Sequence, residues 1–69
     1  MKKGLVRNTI KELRKRKNLS QQELGVRVGA TRQTINAIEQ EKYAPSLELA
    51  FRIAREFDTP FEDVFKFTA

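Results

Sequence analysis

Apolar residues recur along this chain at intervals of three and four positions, the spacing that places side chains on one face of an α-helix. Val6, Ile10 and Leu13 form the first such series, which predicts a helix over about 8–17 with Asn8 as its N-cap. The pattern continues, with short interruptions, into the last ten residues. It predicts five helices, over about 8–17, 21–28, 32–40, 47–57 and 60–64.

Capping residues mark the ends of the second and third predicted helices. Ser20 with Glu23 three positions later is typical of a capping box, in which the hydroxyl and the carboxylate accept hydrogen bonds from backbone N–H groups. Gly29 can adopt the positive φ that closes a helix, and Thr31 is a favourable N-cap for the next helix. The two helices are therefore close in sequence and have to cross steeply.

Gly25 is predicted to lie where these two helices touch, since a steep crossing needs a small residue at the contact. A glycine inside a helix costs about 1 kcal/mol relative to alanine, so a steric reason for it is expected. The crossing leaves the third helix projecting outward, with Ile35 and Ile38 as its buried face. Its outer face is polar and nearly uncharged. This arrangement indicates a helix-turn-helix, whose second helix can enter the major groove of DNA.

The C-terminal third predicts two more helices and a short tail. Ser46 is the predicted cap of the fourth helix, and Thr59 to Glu62 fits a second capping box with proline at the first helical position. Phe65 and Phe67 are compatible with a short C-terminal strand. The inward stripe of the fourth helix is predicted to contain Leu47, Ala50, Ile53, Ala54 and Phe57. The predicted fold class is all-α, a compact five-helix bundle that forms a single domain over residues 1–69.

Composition narrows the classes of function. The chain has 69 residues and contains neither cysteine nor histidine. These absences argue against disulfides, the usual zinc sites and most nucleophile–base pairs. The sequence therefore predicts no catalytic residues, no metal and no cofactor or small-molecule ligand, so an enzyme is not expected. No apolar run approaches the roughly 20 residues of a membrane span, and a cytoplasmic location is expected.

Charge is distributed unevenly along the chain. The formal net charge is +5, with +7 over residues 1–45 and −2 over residues 46–69. A basic N-terminal part favours a polyanionic partner such as nucleic acid. The alternative interpretation is an ordinary soluble protein with a lysine-rich surface.

Phenylalanines are concentrated in the mildly acidic C-terminal third, and they exceed what so small a core needs. Exposed aromatic surface is typical of a protein interface. The sequence therefore predicts a C-terminal dimerisation segment, with an interface formed by Phe51, Phe61, Phe65 and Phe67. The alternative, in which all the phenylalanines close the core of one chain, stays open at this point.

The segment from Leu19 to Gln40, LSQQELGVRVGATRQTINAIEQ, resembles the Cro and phage-repressor family of helix-turn-helix regulators. The match extends through Lys42-Tyr43 and Pro45-Ser46-Leu47. The tail TPFEDVF is similar to short stand-alone members such as the cytolysin-operon repressor. Departures include Gly25, where the family usually has alanine, and Ala44, where similar members often have asparagine.

The resemblance implies which side chains contact DNA. Arginine can bond a guanine edge, glutamine and asparagine an adenine edge, and threonine or alanine can touch a thymine methyl. The base-reading residues implied are Thr31, Arg32, Gln33, Asn36 and Ala37. The phosphate-binding residues implied or predicted are Gln21, Gln22, Arg14, Lys17, Lys42 and Tyr43. Each of Gln21, Thr31 and Asn36 has an alternative interpretation as a cap or a surface residue.

These expectations combine into a function. The predicted protein binds double-stranded DNA as a homodimeric repressor, and it reads a palindromic operator through the major groove. An alternative is an antitoxin-type module whose main partner is a protein and whose DNA binding is autoregulatory. Antitoxins usually add a long neutralising segment, whereas only Phe65 to Ala69 follows the predicted helices here.

Overall fold

The computed structural model describes residues 5–68 and contains five helices and two short strands. The elements in chain order are β1 (Leu5–Asn8), α1 (Ile10–Arg16), α2 (Gln21–Val28), α3 (Arg32–Glu39), α4 (Leu47–Glu56), α5 (Phe61–Val64) and β2 (Phe65–Thr68). All five predicted helices are present. The short C-terminal strand is present as β2, but the fold is not strictly all-α, because β2 pairs with the unpredicted β1 in a two-stranded antiparallel sheet.

The first predicted helix starts too early in the sequence. Val6 lies in β1 opposite Phe67, and α1 begins at Ile10, with Thr9 as its N-cap residue. Asn8 does not occupy the N-cap position, although its Oδ1 accepts a hydrogen bond from the backbone N–H of Ile10 over 3.2 Å. Val6 stands four positions before Ile10, so its side chain fits the helical spacing even though its backbone is extended.

Local capping signals place the helix-turn-helix as predicted. The Ser20 hydroxyl accepts from the N–H of Glu23 over 3.0 Å, and the Glu23 carboxylate accepts from the N–H of Ser20 over 2.8 Å. Gly29 closes α2 with φ of 79°, and the Thr31 hydroxyl caps α3 by accepting from the N–H of Thr34. These contacts fix the length of the turn between α2 and α3.

Gly25 marks the close approach that the sequence predicts. A Cβ added at this position would lie 2.6 Å from the carbonyl oxygen of Ala30, too close for a real side chain. The N–H of Ala30 donates to the carbonyl of Gly25 over 2.8 Å, which holds the turn against α2. The partner of Gly25 is therefore the backbone of the turn itself.

The core lies between the helices and under the sheet. Its buried apolar residues are Ile10, Leu19, Leu24, Val28, Ile35, Ile38, Ala50, Ile53, Ala54, Phe57, Val64 and Phe65. Ile35 and Ile38 are buried as predicted and anchor α3. Leu47 was assigned to the inward stripe, and this is wrong, since it is 68% exposed in the first turn of α4. Among the described helices, none is long and apolar enough to traverse a bilayer.

The second predicted capping box does not form. The hydroxyl of Thr59 donates to the carbonyl of Phe57 over 2.9 Å, and Pro60 occupies the N-cap position of α5. A proline has no side-chain oxygen to cap a helix, and α5 has four residues. Ser46 does cap α4, by accepting from the N–H of Leu49 over 3.2 Å.

Candidate nucleic-acid interface

The N-cap and outer face of α3 carry the predicted base-reading side chains. Thr31, Arg32 and Gln33 are exposed, whereas Asn36 and Ala37 one turn later are half-buried. Arg32, Gln33 and Asn36 line a shallow depression together with Gln21 of α2. The fold thus brings four predicted contact residues from two helices to one place.

Gln21 links the start of α2 to the outer face of α3. Its Oε1 accepts from Nδ2 of Asn36 over 3.4 Å, and its Nε2 donates to Oε1 of Glu39 over 3.1 Å. Asn36 in turn accepts from Nε2 of Gln40 over 2.9 Å. The amides are therefore oriented by neighbours along α3. A side chain oriented in the free protein loses less conformational freedom on binding.

Arg14 and Glu39 form a two-pronged ion pair behind this surface. Nε and Nη2 of Arg14 lie 2.8 and 3.1 Å from the two carboxylate oxygens of Glu39. The side chains are only 13% and 6% exposed. Hydrogen bonding to Glu39 raises the pKa of Arg14 above its ordinary value, against the opposing effect of burial, so the guanidinium stays charged.

The third guanidinium nitrogen of Arg14 is also directed inward, because Nη1 donates to the carbonyl of Leu19 over 3.0 Å. Arg14 thus holds α1, the segment before α2, and the end of α3 in one arrangement. Its bonds leave it poorly placed to reach a phosphate, and we do not retain it among the phosphate-binding residues. Within the basic run of residues 14–17, only tertiary structure distinguishes this arginine from its neighbours.

Lys17 is directed toward the end of α4, where its Nζ donates to the carbonyl of Glu56 over 3.0 Å. The Glu56 carboxylate also pairs with Arg27 of α2 over 2.9 Å. Lys17 is exposed, but the structure does not gather it with Gln21 or α3. Gln22, in contrast, is exposed in the first turn of α2 beside Gln21.

The loop after α3 carries Lys42 and Tyr43, both exposed. The N–H of Lys42 donates to the carbonyl of Ala37 over 3.0 Å, so the loop continues directly from the last turn of α3. Glu41 has φ of 62° and reaches Arg7 of β1 over 3.5 Å. This left-handed residue and its link to β1 were not predicted, since neither is visible in a helical pattern.

The predicted aromatic cluster divides between surface and core. Phe67 is 71% and Phe51 is 50% exposed, and Phe61 is half-buried. Phe65 is only 6% exposed, so assigning it to an interface is wrong. It is the first residue of β2, and its side chain belongs to the core. The ring of Phe61 lies 5.0 Å from Phe51 and 5.2 Å from Phe65. Phe67 and Phe61 line an apolar groove that also contains Leu47.

Known proteins with similar sequences are helix-turn-helix regulators. The family model described as helix-turn-helix matches residues 10–64. An uncharacterised HTH-type transcriptional regulator of Archaeoglobus fulgidus is 50% identical over 62 residues, which cover 90% of this chain and 87% of that protein. Uncharacterised HTH-type transcriptional regulators of Bacillus subtilis and Methanocaldococcus jannaschii are 52% and 48% identical over 60 residues, covering 87% of this chain and 91% of each relative. The chain therefore belongs to the Cro and phage-repressor family of helix-turn-helix transcriptional regulators.

Proposed function

We propose that this DNA-binding transcriptional regulator is a homodimeric repressor that reads a palindromic operator with α3. The observation that carries the proposal is the depression formed by Gln21, Arg32, Gln33 and Asn36. It joins a helix N-terminus, which favours phosphate, to side chains that suit base edges. Such a combination positions a protein on the DNA backbone and reads sequence at the same site.

Base reading is assigned to the exposed face of α3. Arg32 can bond the O6 and N7 atoms of guanine, and Gln33 the N6 and N7 atoms of adenine. Thr31, Asn36 and Ala37 complete the face, with Thr31 both capping α3 and presenting its methyl group. A good bidentate contact discriminates between bases by roughly 1–3 kcal/mol.

Phosphate binding is assigned to the two segments that flank α3. Gln21 and Gln22 open α2, whose first N–H groups are free of intrahelical partners. Lys42 and Tyr43 are exposed in the loop that follows α3 in sequence. Lys17 is a more distant member of the basic surface. Contacts on both sides of the reading helix would fix its depth and register in the groove.

The proposed contact with a second copy of the chain is the apolar surface formed by Leu47, Phe51, Phe61 and Phe67. Three of these are at least 50% exposed, and an apolar patch of this kind is unfavourable in an isolated chain. Ala44 and Pro45 line the groove that contains Leu47, Phe61 and Phe67, so the patch lies beside the loop that carries Lys42 and Tyr43. A two-fold axis here would present two copies of α3 to half-sites about 34 Å apart, one turn of DNA.

Selection of bound duplexes from a random library tests DNA reading directly. We expect a palindromic motif with two half-sites, and affinity that falls steeply with salt because phosphate contacts release counterions. Arg32→Ala should lose discrimination at one base position. Lys42→Ala should weaken binding to all duplex sequences alike. It should also reduce the slope of log affinity against log salt concentration by about 1. Lys15→Ala, an exposed charge with no assigned contact, is the matched control. A complex without sequence preference would contradict base reading.

Sedimentation tests the dimer independently of DNA. Phe67→Glu should convert the dimer to a monomer, because a charge would be buried at the apolar surface. Val26→Glu, at a residue 74% exposed on α2, is the matched control and should leave the dimer intact. A monomeric wild-type chain, or one that requires a different small protein to occupy the groove, would instead support the antitoxin-type alternative.

A further inference from the structure

We propose that Asn8 is a positioning residue that sets the preferred spacing between the two half-sites of the operator. This inference rests on the homodimer proposed above. The spacing that a dimer prefers depends on how rigidly each reading helix is held relative to the dimer surface. Asn8 lies at the junction of those two parts of the chain.

The side chain of Asn8 bonds to the ends of two helices. Its Nδ2 donates to the carbonyl oxygen of Ile38, in the last turn of α3, over 2.8 Å. Its Oδ1 accepts from the N–H of Ile10, the first residue of α1, over 3.2 Å. The carbonyl of Ile38 also accepts from the N–H of Glu41 over 3.0 Å, so both of its lone pairs are used.

The backbone of Asn8 belongs to the sheet that carries the aromatic surface. Asn8 pairs with Phe65 and Val6 pairs with Phe67 in the register of β1 and β2. Phe65 contacts Phe61, which contacts Phe51. A single residue therefore joins the C-terminal end of α3 to the strands and aromatic rings of the proposed dimer surface.

The amide of Asn8 supplies more than its bond to the first residue of α1 requires. Serine or aspartate would accept from the N–H of Ile10 equally well, but aspartate has no N–H to offer the carbonyl of Ile38. The donor is needed only for the bond to α3. A neighbouring link, Arg7 to Glu41, spans 3.5 Å with Arg7 62% exposed. Exposed pairs of this kind contribute little, so Asn8 is the stronger of these two polar links between β1 and the end of α3.

Loss of this tie should change which operators are tolerated. Adding one base pair between half-sites moves them about 3.4 Å further apart and rotates one relative to the other. A rigidly held α3 cannot follow that change without losing contacts, whereas a loosened α3 can adjust. We therefore expect a smaller difference in affinity between duplexes with the best half-site spacing and duplexes whose spacing differs by one base pair.

The experiment measures affinity for a series of duplexes with the selected half-site repeated at spacings that differ by one base pair. The variants are Asn8→Asp, which keeps the acceptor for α1 and removes the donor to α3, and Asn8→Ala, which removes both. Ile53→Val, in the core of α4, is a control for general destabilisation. Thermal unfolding confirms that each variant is folded at the temperature of the assay.

We expect the ratio of affinities between the best and the adjacent spacings to fall about fivefold in both Asn8 variants, the factor that one intramolecular hydrogen bond represents. Ile53→Val should retain the wild-type ratio. An unchanged ratio in Asn8→Asp, or a loss that is equal at every spacing, would overturn the inference. A wild-type protein without any spacing preference would instead refute the palindrome-reading dimer, so the two failures are distinguishable.

Discussion

Replacing Arg14 with methionine tests whether the ion pair with Glu39 holds α3 in place. The substitution leaves a long apolar side chain in place and removes the two hydrogen bonds of 2.8 and 3.1 Å to the carboxylate. Glu39 is 6% exposed, so its charge would remain away from water. Among the described contacts, Nε2 of Gln21 would be its remaining hydrogen-bond donor.

The cost should be large for a chain of this size. Breaking a buried ion pair by removing one partner costs about 3–5 kcal/mol. Arg14 is 13% exposed, so water can partly compensate, and we expect a loss of about 3 kcal/mol. Total stability at roughly 0.05–0.15 kcal/mol per residue is of the same order. Arg14→Met should therefore be close to unfolding at room temperature.

The double variant Arg14→Met with Glu39→Leu distinguishes the contribution of the ion pair to stability from that of side-chain packing. Replacing both charges with apolar groups of similar volume is often neutral for stability, so the double variant should recover most of the loss. Urea unfolding followed by circular dichroism, at one protein concentration, measures all four proteins of the cycle. A loss below about 1 kcal/mol in Arg14→Met, or a double variant as unstable as the sum of both changes, would refute this account.

Three further predictions concern single residues. Gly25→Ala should lower the free energy of unfolding by about 1 kcal/mol or more despite better helix propensity, because the new Cβ meets the Ala30 carbonyl; a more stable variant in a urea titration would contradict this. Glu41→Gly should raise the free energy of unfolding by about 1 kcal/mol, since φ of 62° favours glycine; an unchanged or lower value would contradict it. Hydrogen bonds from the backbone and hydroxyl of Ser20 hold the pKa of Glu23 below its ordinary value. The stability that this carboxylate adds is present above its unfolded pKa and is lost as pH falls through the folded one. Glu23→Gln should thus be less stable than wild type at neutral pH but not in strong acid, as thermal unfolding across pH would show.

Local chemistry explains why the helix-turn-helix was predictable from sequence. The capping bonds of Ser20, Glu23 and Thr31 each connect residues three positions apart, and Gly29 needs only its own backbone freedom. Such contacts are fixed by the order of residues and survive in almost any tertiary setting. The buried face of α3 followed from the spacing of Ile35 and Ile38, whereas the roles of its outer side chains came from the family resemblance and stay a prediction.

Features that depend on distant partners were not predictable in this way. Arg14 looks like its basic neighbours until Glu39, 25 positions away, is brought against it. Val6 fits a helical spacing, and its partner Phe67 lies at the other end of the chain. Leu47 has the spacing of a buried face, but it is 68% exposed in the first turn of α4. Periodicity identifies an apolar face, whereas burial requires something to cover that face.

The sheet connects the first and last described elements of the chain with the end of α3. Its pairing brings β1, which precedes every helix, against β2, which follows them all. Asn8 then connects β1 to the last turn of α3, and Arg7 connects it to the loop that carries Lys42. A bundle of helices alone would leave the exposed aromatic surface and α3 joined only through the shared core. With the sheet present, β1 connects them: Val6 pairs with Phe67 at the aromatic surface, and Asn8 on the same strand donates to the carbonyl of Ile38 in the last turn of α3.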